Sequence, residues 1–250
     1  GALGLHSAEP VQYARPEIIG IVLGAFIISI ATKEYRATAG SSTIVRFVLG
    51  MILVIGALVF LGCPLRMVIR MSAGDLNAWV ALIGFALGVA TGVFALKKGF
   101  SLGRAHVTNN FDLITIIVGF FAVMLVYNVA TGHFVLAFNT PGVIAHSQHL
   151  WSILGMYAVG FAAVLAGGCP LRQLVLAGQG SSDAGVTVIG MFAGGALAHN
   201  LGLAASGTAL NAETGEIVAG AVPPAGKIAA IICIIVCFVI AFTNKRSEAK

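Results

Sequence analysis

Two cysteines lie in identical pentapeptides, and their thiols are the side chains best suited to chemistry in this chain. The segment Gly62-Cys63-Pro64-Leu65-Arg66 recurs as Gly168-Cys169-Pro170-Leu171-Arg172, each time directly after a long apolar run. A thiol is soft and polarizable, donates weakly to sulfur or selenium, and exchanges with them as a thiolate. The alternative is that both cysteines are small buried hydrophobes that were duplicated together with the fold.

The prolines predict that each cysteine begins a short helix. Proline favours the first helical position, so with Pro64 and Pro170 there we expect Cys63 and Cys169 to be N-cap residues. The expected helices cover residues 64–72 and 170–178, and Gly74 and Gly180 help to end them.

A helix start beside a thiol is a candidate anion site. Its free backbone N–H groups and a partial positive charge of about half a unit favour an anion. Gly62 and Gly168 would let the anion approach the backbone closely. Together with the thiols, these features fit an oxyanion of sulfur or selenium.

Four further polar residues are candidates for the same pathway. Arg66 and Arg172 lie in the first turn of each short helix, where they either add positive potential or hold the loop by binding carbonyl groups. Gln173 is expected to face the path. His199 interrupts the next helix, where an ionisable side chain indicates function unless it braces a neighbouring helix.

The remaining cysteines and histidines do not indicate a metal site. Cys233 and Cys237 lie one helical turn apart in an apolar segment without partner histidines, so we interpret them as core or lipid-facing residues. Three histidines between two predicted spans are irregularly spaced and lack an acidic companion: His133, His146 and His149. A cation channel with soft ligands is a third functional class, but the aspartates lie near predicted helix ends, where they would act as caps.

Composition predicts that these residues act inside a membrane. Hydrophobic residues make up 58% of the chain and charged residues 9%, and there are 32 glycines. Seven predicted helical spans follow, near residues 17–32, 44–61, 78–96, 111–130, 150–167, 184–204 and 225–243. We therefore expect a single all-α polytopic membrane domain over residues 1–250, with no strand pattern of an outer-membrane barrel. The net charge of +5 requires no nucleic-acid partner.

The two pentapeptides belong to an internal repeat. Residues 62–90 match residues 168–196 at twelve of twenty-nine positions without a gap. The distribution of Lys and Arg places the residue 1 end outside, and three spans separate the pentapeptides, so the halves are expected to be inverted. The halves cover about 17–96 and 111–204, with an extra span at about 225–243. Inverted repeats with interrupted helices are typical of transporters that bind substrate at the midplane, where the short helix ends meet.

Three motifs resemble the YeeE/YedE family of sulfur-transport membrane proteins, especially its selenium-metabolism branch, YedE. They are residues 46–66, Lys97-Lys98-Gly99-Phe100-Ser101-Leu102-Gly103-Arg104, and 167–174. The resemblance implies a multi-pass protein of the bacterial inner membrane, with short helices pointing inward and Cys63 and Cys169 lining a narrow path. Relatives carry a further span and a Cys-x-x-Cys element before the segment that corresponds to Gly1–His6, so we expect residues upstream of Gly1.

The resemblance also implies how a substrate would move. A small selenium or sulfur anion, such as selenite, selenosulfide or thiosulfate, would pass between successive neutral thiols without a large domain motion. The alternative is a membrane-embedded transferase that forms a persulfide or perselenide on Cys63 or Cys169. A soluble sulfur-carrier protein is a possible partner in either case. We expect no enzyme activity, cofactor or metal for the transporter.

Overall fold

Eight helices account for most of the residues that the structure describes. The computed structural model describes residues 16–35, 41–102, 126, 129–130, 146–210 and 217–244. The helices are α1 (Pro16–Ala31), α2 (Thr43–Phe60), α3 (Pro64–Ser72), α4 (Leu76–Lys97), α5 (His149–Ala166), α6 (Pro170–Gly178), α7 (Ser182–Asn200) and α8 (Pro224–Thr243). Two-residue strands β1 (Ala209–Leu210) and β2 (Ile217–Val218) pair antiparallel before α8. Apart from this pair, the described residues form an all-α fold, as predicted.

Four helical stretches are long and apolar enough to cross a membrane, so the chain is a multi-pass helical membrane protein. They are Thr43–Ser72, Leu76–Lys97, His149–Gly178 and Pro224–Thr243. The sequence predicts seven spans, and the structure supports these four. In α1 the apolar segment Ile19–Ala31 is shorter than these four stretches. Helix α7 is not among the four, and polar residues at both of its ends lower its hydropathy. The predicted span at 111–130 lies outside the described residues except for Val126, Val129 and Ala130, which are helical.

The two short helices begin and end as predicted. Cys63 and Cys169 are the N-cap residues of α3 and α6, with extended backbone and a proline at the start of each helix. Gly74 and Gly180 follow the short helices with φ of +94° and +97°, a conformation that suits glycine. Each therefore turns the chain into the next long helix.

Glycines let the long helices pack in two equivalent pairs. In α4, a Cβ on Gly84 would collide with the backbone of Ile153 in α5. The glycine 106 residues later, Gly190 in α7, meets the backbone of Phe47 in α2 in the same way. Glycine recurs in the repeat because helix backbones come into contact there, which is how membrane helices gain close packing.

The two halves run in opposite directions. Helices α2 and α5 are equivalent, since their bounds differ by 106 residues at both ends. At one end of this pair, Arg46 near the start of α2 donates to the carbonyl of Ala166 at the end of α5. At the other end, the carbonyl oxygen of Val59, late in α2, lies 2.8 Å from Nε2 of His146, just before α5. Because α2 and α5 are antiparallel, the repeat is inverted, as predicted.

The core lies where α2, α5 and α8 meet. Phe161 in α5 packs edge-on against Phe238 in α8, with ring centroids 5.0 Å apart. Cys233 and Cys237 in α8 are 5% and 0% exposed and belong to this core. These two cysteines are therefore core residues rather than lipid-facing ones.

Candidate functional site

Both pentapeptide thiols are free and partly exposed at the starts of the short helices. Cys63 has φ −79° and ψ 170°, and Cys169 has φ −68° and ψ 167°. Neither side chain makes a capping hydrogen bond, and neither cysteine is in a disulfide. Neither thiol is therefore engaged in a hydrogen bond with the backbone of the helix that it begins. Both sites have the composition of a small anion site: a soft thiol beside the positive end of a helix.

The glycine before each cysteine gives room to the arginine of the same pentapeptide. A Cβ on Gly168 would lie 2.7 Å from Arg172 Cδ, and a Cβ on Gly62 would lie 3.5 Å from Arg66 Cβ. The arginine stems therefore fold back across the glycines. In the second copy a Cβ would displace the Arg172 side chain, so this glycine makes room for the arginine, whereas the sequence-based expectation was access for an anion.

Arg66 does not hold its loop by binding carbonyl groups. Its side chain is half-buried, and it makes no hydrogen bond or ion pair within the part of the chain that the structure describes. One of the two roles expected for Arg66 is therefore wrong, and the added positive potential remains. This potential lies one turn from the Cys63 thiol.

Gln173 braces the second loop instead of facing an open path. Its side chain is 1% exposed, and its Nε2 donates to the carbonyl of Ala166 at 3.1 Å and to that of Gly168 at 3.4 Å. Its Oε1 is buried and has no hydrogen-bond partner among the residues that the structure describes. The amide therefore ties α6 to the segment that leads into Cys169.

Two arginines that the sequence analysis did not select hold the equivalent segments. Arg70 in α3 donates from Nη1 to the carbonyl of Phe60 at 3.4 Å, and Arg46 in α2 donates to that of Ala166 at 3.1 Å. Each carbonyl lies three residues before a cysteine. Phe60 and Ala166 are equivalent in the repeat, but Arg70 and Arg46 are not, so the sequence carries no signal that pairs these arginines with the two carbonyls.

A buried histidine lies next to the first loop, although the sequence suggested for it only a metal-ligand role. His146 is 1% exposed, and its Nε2 lies 2.8 Å from the carbonyl of Val59, four residues before Cys63. Burial lowers the pKa of His146, while the hydrogen bond to Val59 opposes this shift and the charges of Arg70 and His149 add to it. The imidazole is therefore neutral at physiological pH.

His199 lies at the Cys63 end of the molecule rather than beside Cys169. It is partly buried in the last turn of α7, and α7 runs parallel to α2. Just beyond α7, the N–H of Ala205 donates to the carbonyl of Leu58 near the end of α2. His199 is thus remote from the pentapeptide that precedes it in sequence.

The two thiols do not meet at a common point. Cys63 follows the end of α2 and Cys169 follows the end of α5, and these helices are antiparallel. A helix of 18 residues is about 27 Å long, which places the two cysteines roughly 25 Å apart along the pair. The expectation that both helix starts converge at the midplane is therefore wrong. Each of α2 and α5 runs for 18 residues along its partner before the chain turns at the cysteine, so the cysteines lie at opposite ends of the pair.

No group of three His, Cys, Asp or Glu side chains within the described ranges is placed to hold a metal ion. His133, one of the three histidines weighed as metal ligands, lies outside those ranges. The Asp75 carboxylate accepts a hydrogen bond from the N–H of Asn77 at 2.9 Å and so caps α4, as predicted for the aspartates.

Comparison with known proteins gives no match: no family model, no curated protein and no solved structure matches the chain. The duplicated thiol sites and the motifs that carry the family resemblance are therefore the features of this chain that bear on its function.

Proposed function

We propose that the chain is a membrane transporter or channel for a small anion of sulfur or selenium, such as thiosulfate or selenite. The observation that carries this proposal is the pair of free thiols at equivalent helix starts in an inverted repeat. Inversion presents the same site to the two sides of a membrane, which is what a permeation pathway requires. Cysteines that served only as small core hydrophobes would be buried like Cys233 and Cys237, whereas Cys63 and Cys169 are partly exposed.

Each site would bind the anion weakly enough to release it. The positive end of a short helix attracts the charge, and the thiol donates to a sulfur, selenium or oxygen atom of the ligand. Weak binding at several successive sites favours throughput over retention. Cys63 would serve one side of the membrane and Cys169 the other, with Arg66 adding positive potential on the Cys63 side.

The motifs support a finer assignment. We assign the chain to the YeeE/YedE family and its selenium branch, which places it in a bacterial inner membrane as a transporter rather than an enzyme. A soluble sulfur-carrier protein that accepts the imported atom would be its partner. This assignment depends on the residues shared with the family in three short segments, 46–66, 97–104 and 167–174.

Uptake into proteoliposomes tests the proposal. We expect that Cys63→Ala and Cys169→Ala each lower the uptake of radiolabelled thiosulfate or selenite by about tenfold, the effect of losing one contact of about 1.4 kcal/mol. Cys233→Ala is the matched control, because this thiol is buried in the core of α8. Unchanged uptake in both pentapeptide variants would refute the thiol pathway. A covalent sulfur or selenium adduct that forms and turns over on either cysteine would instead favour the transferase.

A further inference from the structure

The same backbone position in each half is held by an arginine. Phe60 and Ala166 are the last residues of α2 and α5 and are equivalent in the repeat. Arg70 donates to the carbonyl of Phe60, and Arg46 donates to that of Ala166. These carbonyls belong to the negative ends of two helices, where a cation is favourable, and each directly precedes the loop that carries a cysteine.

Each arginine also pairs with an aspartate at the start of the long helix that follows the cysteine loop. Arg70 Nε lies 2.7 Å from Asp75 Oδ2, and Asp75 caps α4. Arg46 Nε lies 3.8 Å from Asp183 Oδ2 in the first turn of α7. Both arginine side chains are almost buried, at 7% and 11% exposure. Each ion pair therefore joins the end of one long helix to the start of another across the cysteine loop.

The contacts around Arg46 and Asp183 include one more residue, Ser41. Arg46 Nε also donates to Ser41 Oγ, and the N–H of Ser41 donates to Asp183 Oδ2 at 3.2 Å. Ser41 thus connects both members of the ion pair just before α2 begins. The guanidinium contacts three partners at once, which suits its several donors in a fixed plane.

The two arginines were not copied by the duplication. The residue equivalent to Arg70 is Leu176, and the residue equivalent to Arg46 is Ser152. Arg70 comes from the short helix of its own half, whereas Arg46 comes from the long helix of the opposite half. Two unrelated sequence positions thus supply the same group to the same carbonyl. Inheritance does not explain this agreement, and a shared requirement of the two loops does.

We propose that Arg70 and Arg46 are positioning residues for Cys63 and Cys169. By fixing the carbonyl three residues earlier, each arginine holds the start of the short helix and therefore its thiol. The transport consequence rests on the function proposed above, while the positioning itself does not.

Amide hydrogen exchange in nanodiscs tests the positioning separately for each loop. The N–H groups of Gly62 and Gly168 are matched reporters, because each donates at 2.8 Å to an equivalent carbonyl, that of Ala57 or Ala163. We expect Arg70→Ala to accelerate exchange at Gly62 by about tenfold and to leave Gly168 unchanged, because one charge-assisted hydrogen bond is lost locally. Arg46→Ala should do the reverse.

Lysine variants show whether the effect belongs to the guanidinium. Arg46→Lys and Arg70→Lys keep the positive charge but cannot contact all partners in one plane, so exchange should lie between that of the wild-type chain and that of the alanine variants. They also keep the test valid if an alanine variant does not fold. Acceleration at both glycines by a single substitution, or at neither, would overturn the positioning role.

Uptake separates this proposal from the proposed function. The arginine variants should lower thiosulfate or selenite uptake, with partial recovery in the lysine variants. Uptake that depends on the cysteines but not on the arginines would overturn the claim that positioning of the thiols matters for transport. Uptake that depends on neither cysteine, together with the expected exchange pattern, would reject the proposed function and leave the positioning of the loops established.

Discussion

A single methyl group at Gly194 should separate α7 from α2. A Cβ at this position would lie 2.7 Å from both Cα and O of Met51, whereas ordinary contacts begin near 3.4 Å. The helices must therefore move apart by about 0.7 Å, since backbone atoms cannot rotate away as a side chain would. Overpacking of this kind costs about 1–3 kcal/mol. We expect Gly194→Ala to lower the free energy of unfolding by about 2 kcal/mol relative to its control.

Gly185→Ala is that control, because it lies in the same helix and a Cβ there would meet no atom of the described residues within 4 Å. Both substitutions gain the same helix propensity, so their difference isolates the contact with α2. The free energy of unfolding can be measured by titration with sodium dodecyl sulfate in mixed micelles, followed by circular dichroism. Equal stability of the two variants would refute the close packing of α7 on α2.

Two further predictions concern the ends of the molecule. A membrane-impermeant thiol reagent should label Cys63 from the external side and Cys169 from the cytoplasmic side, and labelling of both from one side would contradict their placement at opposite ends. Burial lowers the pKa of His146, so the unfolded chain binds a proton more readily, and stability should fall as pH drops below about 6.5. His146→Gln keeps a donor for the carbonyl of Val59 and should weaken this dependence in titrations between about pH 8 and 5, whereas an unchanged slope would exclude His146 as its source.

Local sequence signals were sufficient to predict the long helices and the two short helices α3 and α6. Apolar length identified the long helices, and a proline after each cysteine, with a glycine ten residues after the proline, gave the bounds of α3 and α6. The glycines matched between the halves marked helix contacts. Gly88 and Gly194 recur because each faces the backbone of a neighbouring helix, Tyr157 in one case and Met51 in the other.

The contacts that fix the loops could not be predicted in the same way. Arg46 and Ala166 are 120 residues apart, and nothing near either residue specifies the other. Arg66 has the conspicuous place in the repeated motif, but Arg70, one turn later, reaches the helix end and Asp75. The motif shows which residues were duplicated, whereas the tertiary structure decides which arginine binds the carbonyl.

The depth of the cysteines was the weakest inference because topology does not determine depth. Three spans between the pentapeptides require inversion, but they do not say how far each short helix enters the membrane. Both α2 and α5 continue for 18 residues before they turn, so each cysteine is displaced toward its own end of the pair. The midplane position expected by analogy with other inverted-repeat transporters was therefore wrong, because the lengths of α2 and α5 set the positions of the cysteines.

This separation changes what a relay between the thiols requires. Sulfur contacts extend over a few ångströms, so an anion cannot pass directly between groups roughly 25 Å apart. The straight line between them is also closed, because Leu53, Met156 and Val159 are fully buried along α2 and α5, and Gly56 packs against Gly155. Under the proposed function, the anion would travel beside this helix pair and meet one thiol at each end. Cys63 and Cys169 would then be separate binding sites for the two sides of the membrane, in keeping with the inverted repeat.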